Sequence, residues 1–351
     1  MKDFYIQDSA ANENKVITSS FVVASKQIKP RKTGELFLAL TLADRTGQIE
    51  AKMWDNVADA LGACDQDDFI KVKGLVNKYN NRFQLTIHKL RRMEESEIDY
   101  ADYLPKCPRD VEELWRTVGE FVAGFQNPHL KALLEAFLND PEIALAYKNA
   151  PAAKTLHHAY IGGLLDHVVS LFRSCDLVSR NYPQIDRDLL LTGAFLHDIG
   201  KLHELAYHRS FSYTTRGQLL GHMIIELEML QVKIAQVPGF PAELKTLVEH
   251  LLISHHGQYE FGSPKLPMFP EALMLHYLDD LDSKMEAMRA HYAREPEVEW
   301  TSYNASLGRP LLNREKFLQA KAEKPEAAPA AEAPAKDFTL TAPGGDGPRK
   351  K

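Results

Sequence analysis

Cysteine is scarce in this chain. Cys64, Cys107 and Cys175 are the only three in 351 residues, far apart and without a Cys-x-x-Cys pair. An odd, scattered set excludes a disulfide framework and a thiolate zinc site, and it suits a reducing cytoplasm. Long apolar runs are missing as well. Polar residues follow Met1, and no later stretch approaches the roughly 20 apolar residues of a membrane helix, so we expect a cytoplasmic protein, neither secreted nor membrane-inserted. Positive charge is also short, with 42 Lys and Arg against 48 Asp and Glu. A net charge of -6 argues against a uniformly basic nucleic-acid coat and leaves room only for a local basic surface. There is no internal repeat. What the chain does have is 44% hydrophobic and 26% charged residues, enough for real cores in two or more domains. It also has histidine in one place: 11 of its 14 lie between His157 and His276.

Residues 16 to 90 read as β structure. In ELFLALTLAD, Leu36, Leu38, Leu40 and Leu42 recur with a period of two, which puts them on one face of a strand. VITSSFVVAS, GQIEAKMW, FIKVKGLV and RFQLTIHKL bring the count to five strands, and DNVADALGAC, capped by Asp55, predicts a short helix between the third and fourth. That order is the order of an OB-fold barrel, a scaffold that commonly binds single-stranded nucleic acid on one face. Basic residues gather in the first strand connection (Lys26, Lys29, Arg31, Lys32) and on strands four and five (including Lys73 and Arg82). With Phe37, Trp54, Tyr79 and Phe83 available to stack on bases, they make a candidate single-strand surface. The bland reading of each is a solvated lysine or a core aromatic.

EESEIDYADYLPKCP looks like a linker. From Pro108 the apolar period becomes 3.6, predicting an all-α domain over residues 105–313 after a barrel and linker over 1–104. The Ala, Pro, Lys and Glu-rich stretch 314–351 cannot form a core and reads as a disordered tail.

The helical stretch carries His167, the doublet His197-Asp198 in FLHDIGK, His222, the pair His255-His256, and Asp279 in LHYLDDLDSK, each within or at the end of an apolar run. A buried imidazole or carboxylate needs a partner, and a lone one finds it locally. Seven on five predicted helices are satisfied together by shared divalent metal, with imidazole nitrogens and carboxylate oxygens as ligands. Neighbours on a helix point about 100° apart, so His197 can serve one ion while Asp198 bridges two.

These residues resemble the H…HD…D pattern of HD-domain metal-dependent phosphohydrolases. The resemblance implies one metal on His167, His197, Asp198 and Asp279, and a second on Asp198, His222, His255 and His256. With the barrel segment TGELFLALTLADRTGQIEAKMWD, and with HHAYIGGLLDH, LHDIGK, SHHGQYEFGSPK and ALMLHYLDDLDSKM, residues 16 to 290 resemble the YhaM-type 3′-to-5′ exoribonucleases more narrowly. That implies hydrolysis of single-stranded RNA, with single-stranded DNA as a second candidate substrate, to nucleoside monophosphates with His197 and Asp198 at the catalytic centre. Manganese suits the N/O donors, and iron, cobalt or nickel would fit them too. Lys201 reads either as a phosphate contact or as a helix-end cation. His157 and His158 are candidates for substrate contact or for structure, His276 for orienting Asp279, and Lys265, after the Gly262-Pro264 turn, for substrate. Asp280 competes with Asp279 as the ligand. A homo-oligomer is compatible with the sequence. Two rival functions stay open: an HD hydrolase of a nucleotide or cyclic dinucleotide, and a nucleic-acid binding module with a vestigial metal site.

Overall fold

A computed structural model of the chain describes residues 2–31, 34–57, 60, 62–80, 82–154, 158–207 and 211–322. Five strands, β1 (Val16–Pro30), β2 (Leu36–Asp44), β3 (Gly47–Met53), β4 (Phe69–Tyr79) and β5 (Arg82–Arg92), close into a barrel in the order β1-β2-β3-β5-β4. Closure depends on the length of β1. Its first half, Val16 to Val22, pairs with β4, its second half pairs with β2, and a register shift between Val23 and Ser25 bends the strand from one neighbour to the other. Leu38, Leu40 and Leu42 point inward and are buried, as the alternation predicts, at about 1.5–3 kcal/mol each. Leu36, at the strand's first position, is exposed instead. The helix expected over residues 55–64 falls partly outside the described residues.

Three sequence expectations change here. The linker is not loose: Tyr103 is buried, its ring lies 4.7 Å from Phe69, and its hydroxyl donates to Ser20 Oγ at 2.7 Å, so the segment packs on the barrel. The second domain is not purely helical, because β6 (Leu205–Ala206) pairs with β7 (Ser212–Tyr213). And a further helix covers Arg314–Ala322, where the tail was expected to begin, tied back by Lys316 Nζ to Glu297 at 2.8 Å. Residues 323–351 lie outside the described residues.

The helical domain comprises α1 (Val111–Ala123), α2 (Pro128–Leu138), α3 (Pro141–Asn149), α4 (Gly163–Ser179), α5 (Arg187–Leu196), α6 (Lys201–Glu204), α7 (Thr215–Leu220), α8 (His222–Ile234), α9 (Ala242–Ser254), α10 (Pro270–Arg294) and α11 (Arg314–Ala322). Helix α5 explains where the site sits. Every residue from Asp188 to Leu196 is buried, so the helix is covered on all sides and runs through the middle of the bundle. Whatever follows Leu196 therefore emerges inside the protein. Tyr147 fixes that end: its ring stacks on Phe195 at 5.1 Å and its hydroxyl donates to Phe195 O at 2.7 Å. Among the described residues no helix is long and apolar enough to cross a membrane.

Candidate metal centre

The His197-Asp198 doublet lies in the turn that ends α5, and His255 caps the end of α9 in the same way. Helix C-termini leave carbonyls without partners. Each histidine supplies one: His197 Nδ1 lies 3.1 Å from Ala194 O and His255 Nδ1 lies 2.6 Å from Leu252 O, both three residues back. A carbonyl can only accept, so Nδ1 carries the hydrogen and Nε2 is left with a lone pair. The other three histidines are held alike. His167 Nδ1 is 2.7 Å from Asp282 Oδ2, His222 Nδ1 is 3.3 Å from Glu204 Oε1, and His256 Nδ1 is 2.8 Å from Phe261 O. Five rings thus turn Nε2 toward one interior region.

There the donors form two groups, His167-His197-Asp279 and His222-His255-His256, each with one atom per residue within 4.8 Å of the others. His167 Nε2 lies 3.2 Å from His197 Nε2 and 3.2 Å from Asp279 Oδ1. Asp198 stands between the groups, with Oδ2 3.4 Å from His197 Nε2 and Oδ1 3.7 Å from His222 Nε2. Nε2 of His222 and of His255 are buried without a hydrogen-bond partner. Inward lone pairs beside carboxylates repel one another unless a cation lies among them, so the donor set fits divalent metal of the N/O-accepting kind. Electrostatics agrees. Burial pushes His255 and His256 down and keeps them neutral. For Asp198 burial works upward, but Lys201, His197 and His222 hold it well below the ordinary carboxylate range. The C-terminal ends of α5 and α9, negative in potential, favour a cation among these donors.

Two approaches of backbone make the arrangement. Gly162, at φ +80°, breaks the chain just before α4, so His158 folds back beside His167, 5.4 Å ring to ring, rather than lying turns away on a straight helix as its spacing suggests. At Gly200 an added Cβ would come within 2.1 Å of His222 O, so glycine lets the start of α8 reach the doublet.

Other candidates fall as follows. Asp279 joins His167 and His197, whereas Asp280 is turned to Lys284 at 2.6 Å. Lys201 opens α6 instead of ending a helix, and its Nζ sits 2.7 Å from Asp198 Oδ2, so it steadies that carboxylate. The His276 ring is turned to another partner than Asp279: its Nδ1 bonds His255 O at 2.9 Å and holds that turn. His158 is buried against Asp282 and Tyr160. Lys265 is exposed, and His157 lies outside the described residues. Sequence reasoning missed Asp282, which accepts from His167, His158 and Ser170 at once, and Glu204 behind His222. It also missed Glu226, fully buried with both oxygens unpartnered and pushed well up by burial and by Asp198.

On the barrel, Phe37 and Trp54 stack at 4.5 Å, Lys29 is the cross-strand partner of Phe37, and Arg31 lies over Trp54 at 5.1 Å. Lys52 sits over Tyr79 and Lys78 over Phe83, at 5.3 and 5.0 Å. Arg82 is exposed and reaches Glu295, the residue that follows α10, at 3.5 Å. Lys73 is not part of this group: it lies six residues before Tyr79, between Thr18 and Lys89, roughly 20 Å along the strand. Lys32 lies outside the described residues.

Residues 22–92 match the OB-fold nucleic acid binding domain family, and residues 164–284 match the HD domain family. Barrel and site together define an HD-domain hydrolase carrying an OB-fold module. The chain is 37% identical over 269 residues to 3'-5' exoribonuclease YhaM of Bacillus subtilis (strain 168), covering 76% of this chain and 85% of that protein. It is 36% identical over 282 residues to the protein of the same name from Bacillus velezensis, covering 80% and 89%. The chain belongs to this exoribonuclease family.

Proposed function

We propose that the protein degrades single-stranded RNA from its 3′ end to nucleoside monophosphates at a site for two divalent ions. The observation that carries this reading is the shared orientation of five imidazoles, each with Nδ1 on an acceptor and Nε2 turned inward, around a carboxylate placed between two donor groups. His167, His197, Asp198 and Asp279 would hold one ion, and Asp198, His222, His255 and His256 the other. Manganese suits these donors, as do iron, cobalt and nickel. Bound there, the ions would activate water near neutral pH and neutralise charge developing on the phosphate. The protein's own part is orientation: Ala194 O, Leu252 O, Phe261 O, Asp282 and Glu204 set the rings, and Lys201 steadies Asp198. The barrel's stacked aromatics and cations would hold the strand, by contacts that need no 2′-hydroxyl, so single-stranded DNA is a second substrate.

The test uses end-labelled RNA and DNA in manganese, with metal content measured alongside. Asp198→Ala should keep RNA affinity, bind less metal and release no mononucleotide. Undiminished turnover by this variant removes the metal-centred reading.

A further inference from the structure

The 3₁₀ turn Tyr259–Phe261 follows directly on the His255-His256 pair. Its backbone serves the metal centre, since Phe261 O accepts the His256 ring hydrogen at 2.8 Å. Ser263, just beyond, is buried, and its hydroxyl lies 2.7 Å from Lys265 O and 3.1 Å from Ile253 O, which sets the loop against the end of α9. The side chains of the turn are not used in any core: Tyr259 is 60% exposed and Phe261 58%. Single exposed aromatics are ordinary on a protein surface. Two on one short turn, clamped by its main chain to an imidazole of the candidate centre, belong to the loop that adjoins that centre.

The chemistry favours one occupant. Single-stranded nucleic acid is held by cations on its phosphates and aromatic rings on its bases, and exposed Lys265 supplies a cation four residues after Phe261. The same combination recurs on the barrel, where Phe37 and Trp54 stand beside Lys29 and Arg31. We propose that Tyr259 and Phe261 form a stacking platform for the unpaired bases at the 3′ end of the substrate. This rests on the nuclease reading above and adds to it what distinguishes the reacting end of the strand: its bases, read by their faces and not by their hydrogen-bonding edges.

The experiment compares the full-length protein on two single-stranded RNAs, one ordinary and one whose two terminal 3′ nucleotides lack their bases. Wild-type KM should rise roughly 5- to 150-fold for each stacked base removed, with less change in kcat. In Tyr259→Ala/Phe261→Ala the gap between the two RNAs should close, while bound metal by elemental analysis stays at the wild-type level because Phe261 O is a backbone atom. Tyr259→Phe, which keeps the ring, should retain the wild-type gap. A double variant that discriminates against the base-free end as wild type does overturns the platform alone, and so does a protein partner that binds wild type and is lost by the double variant while the RNA kinetics are unmoved. Wild-type protein that releases no mononucleotide in any of the four metals overturns the nuclease reading and the platform with it.

Discussion

Loading the centre with metal should expel a proton, and the geometry says which. His167 and His197 both give their Nδ1 hydrogens to acceptors, Asp282 and Ala194 O, yet their Nε2 atoms lie 3.2 Å apart beside Asp279 Oδ1. Two lone pairs cannot hydrogen-bond to each other, so without metal a further proton must sit between them. Burial alone would push His167 down, but Asp279 and Asp282 reverse this and raise it to about 10. At pH 7 the proton is essentially fully bound, and an ion must displace it. Burial keeps His255 and His256 neutral, so they add no proton of their own. The apparent affinity for manganese should therefore rise about tenfold per pH unit, or roughly 100-fold between pH 6.5 and 8.5, equal to about 2.7 kcal/mol. An imidazole titrating near 6.5 would give only about twofold over that range. Calorimetric titration in buffers of different ionisation enthalpy should show about one proton released for this ion. Affinity flat above pH 7, with no proton released, would refute the reasoning. The sign for stability is also set: with its value raised, His167 stabilises the metal-free fold below about 6.5 and loses that contribution as pH climbs toward about 10.

Asp282→Ala should cost about 10- to 100-fold in metal affinity, measured by chelator competition, because His167 loses the carboxylate that fixes its ring. Asp280→Ala, two residues away and paired outward with Lys284, should cost nothing, and an equal loss in both would remove the role given to Asp282. Asp140→Asn keeps the α3 cap on Glu142 N and Ile143 N but leaves the buried ammonium of Lys233 without its ionic partner, 2.8 Å away. Urea unfolding at pH 7 should show a loss of about 1–2 kcal/mol, less than for a fully buried pair because Asp140 is partly exposed. Lys233 holds Asp140 below its usual value, so the difference from wild type should be full above about 4 and vanish as pH falls further. A gap that does not shrink as pH is lowered below about 4 contradicts the assignment.

How much of this was legible beforehand follows from what each feature depends on. Barrel strands depend on local alternation, and Leu38, Leu40 and Leu42 announce it within one decapeptide. The ligand types are equally local, because a histidine beside an aspartate at the end of an apolar run is visible wherever it occurs. Partners are a different matter. Asp282 meets His167 across 115 positions, and Tyr103 meets Ser20 across 83, distances that no periodicity spans. Even so, one signal for Asp282 was present in DDLD: Asp279 and Asp282 stand three apart, on one side of a helix, whereas Asp280 is turned about 100° from Asp279. Asking which acids share a face would have found both the donor and its support. Asking for the first acid after the apolar run found only the donor.

The orientation of the rings is the harder case, because it belongs to helix ends and not to any motif. His197 and His255 each reach back three residues to a carbonyl that the helix itself leaves open, and this places Nε2 toward the interior without a dedicated partner. The doublet is thus set by where α5 stops, which in turn is set by its cap at Asp186 and by the burial of Leu189 through Leu196. One residue added between Asp186 and Ala194 would turn His197 by about 100° about the helix axis and carry it about 1.5 Å along it, while Ala194 O still accepted its hydrogen. Every local bond would survive and the centre would not. Chemistry at this site is consequently a property of helix length, and a chain could keep all seven ligand residues yet lose the ability to bring them together.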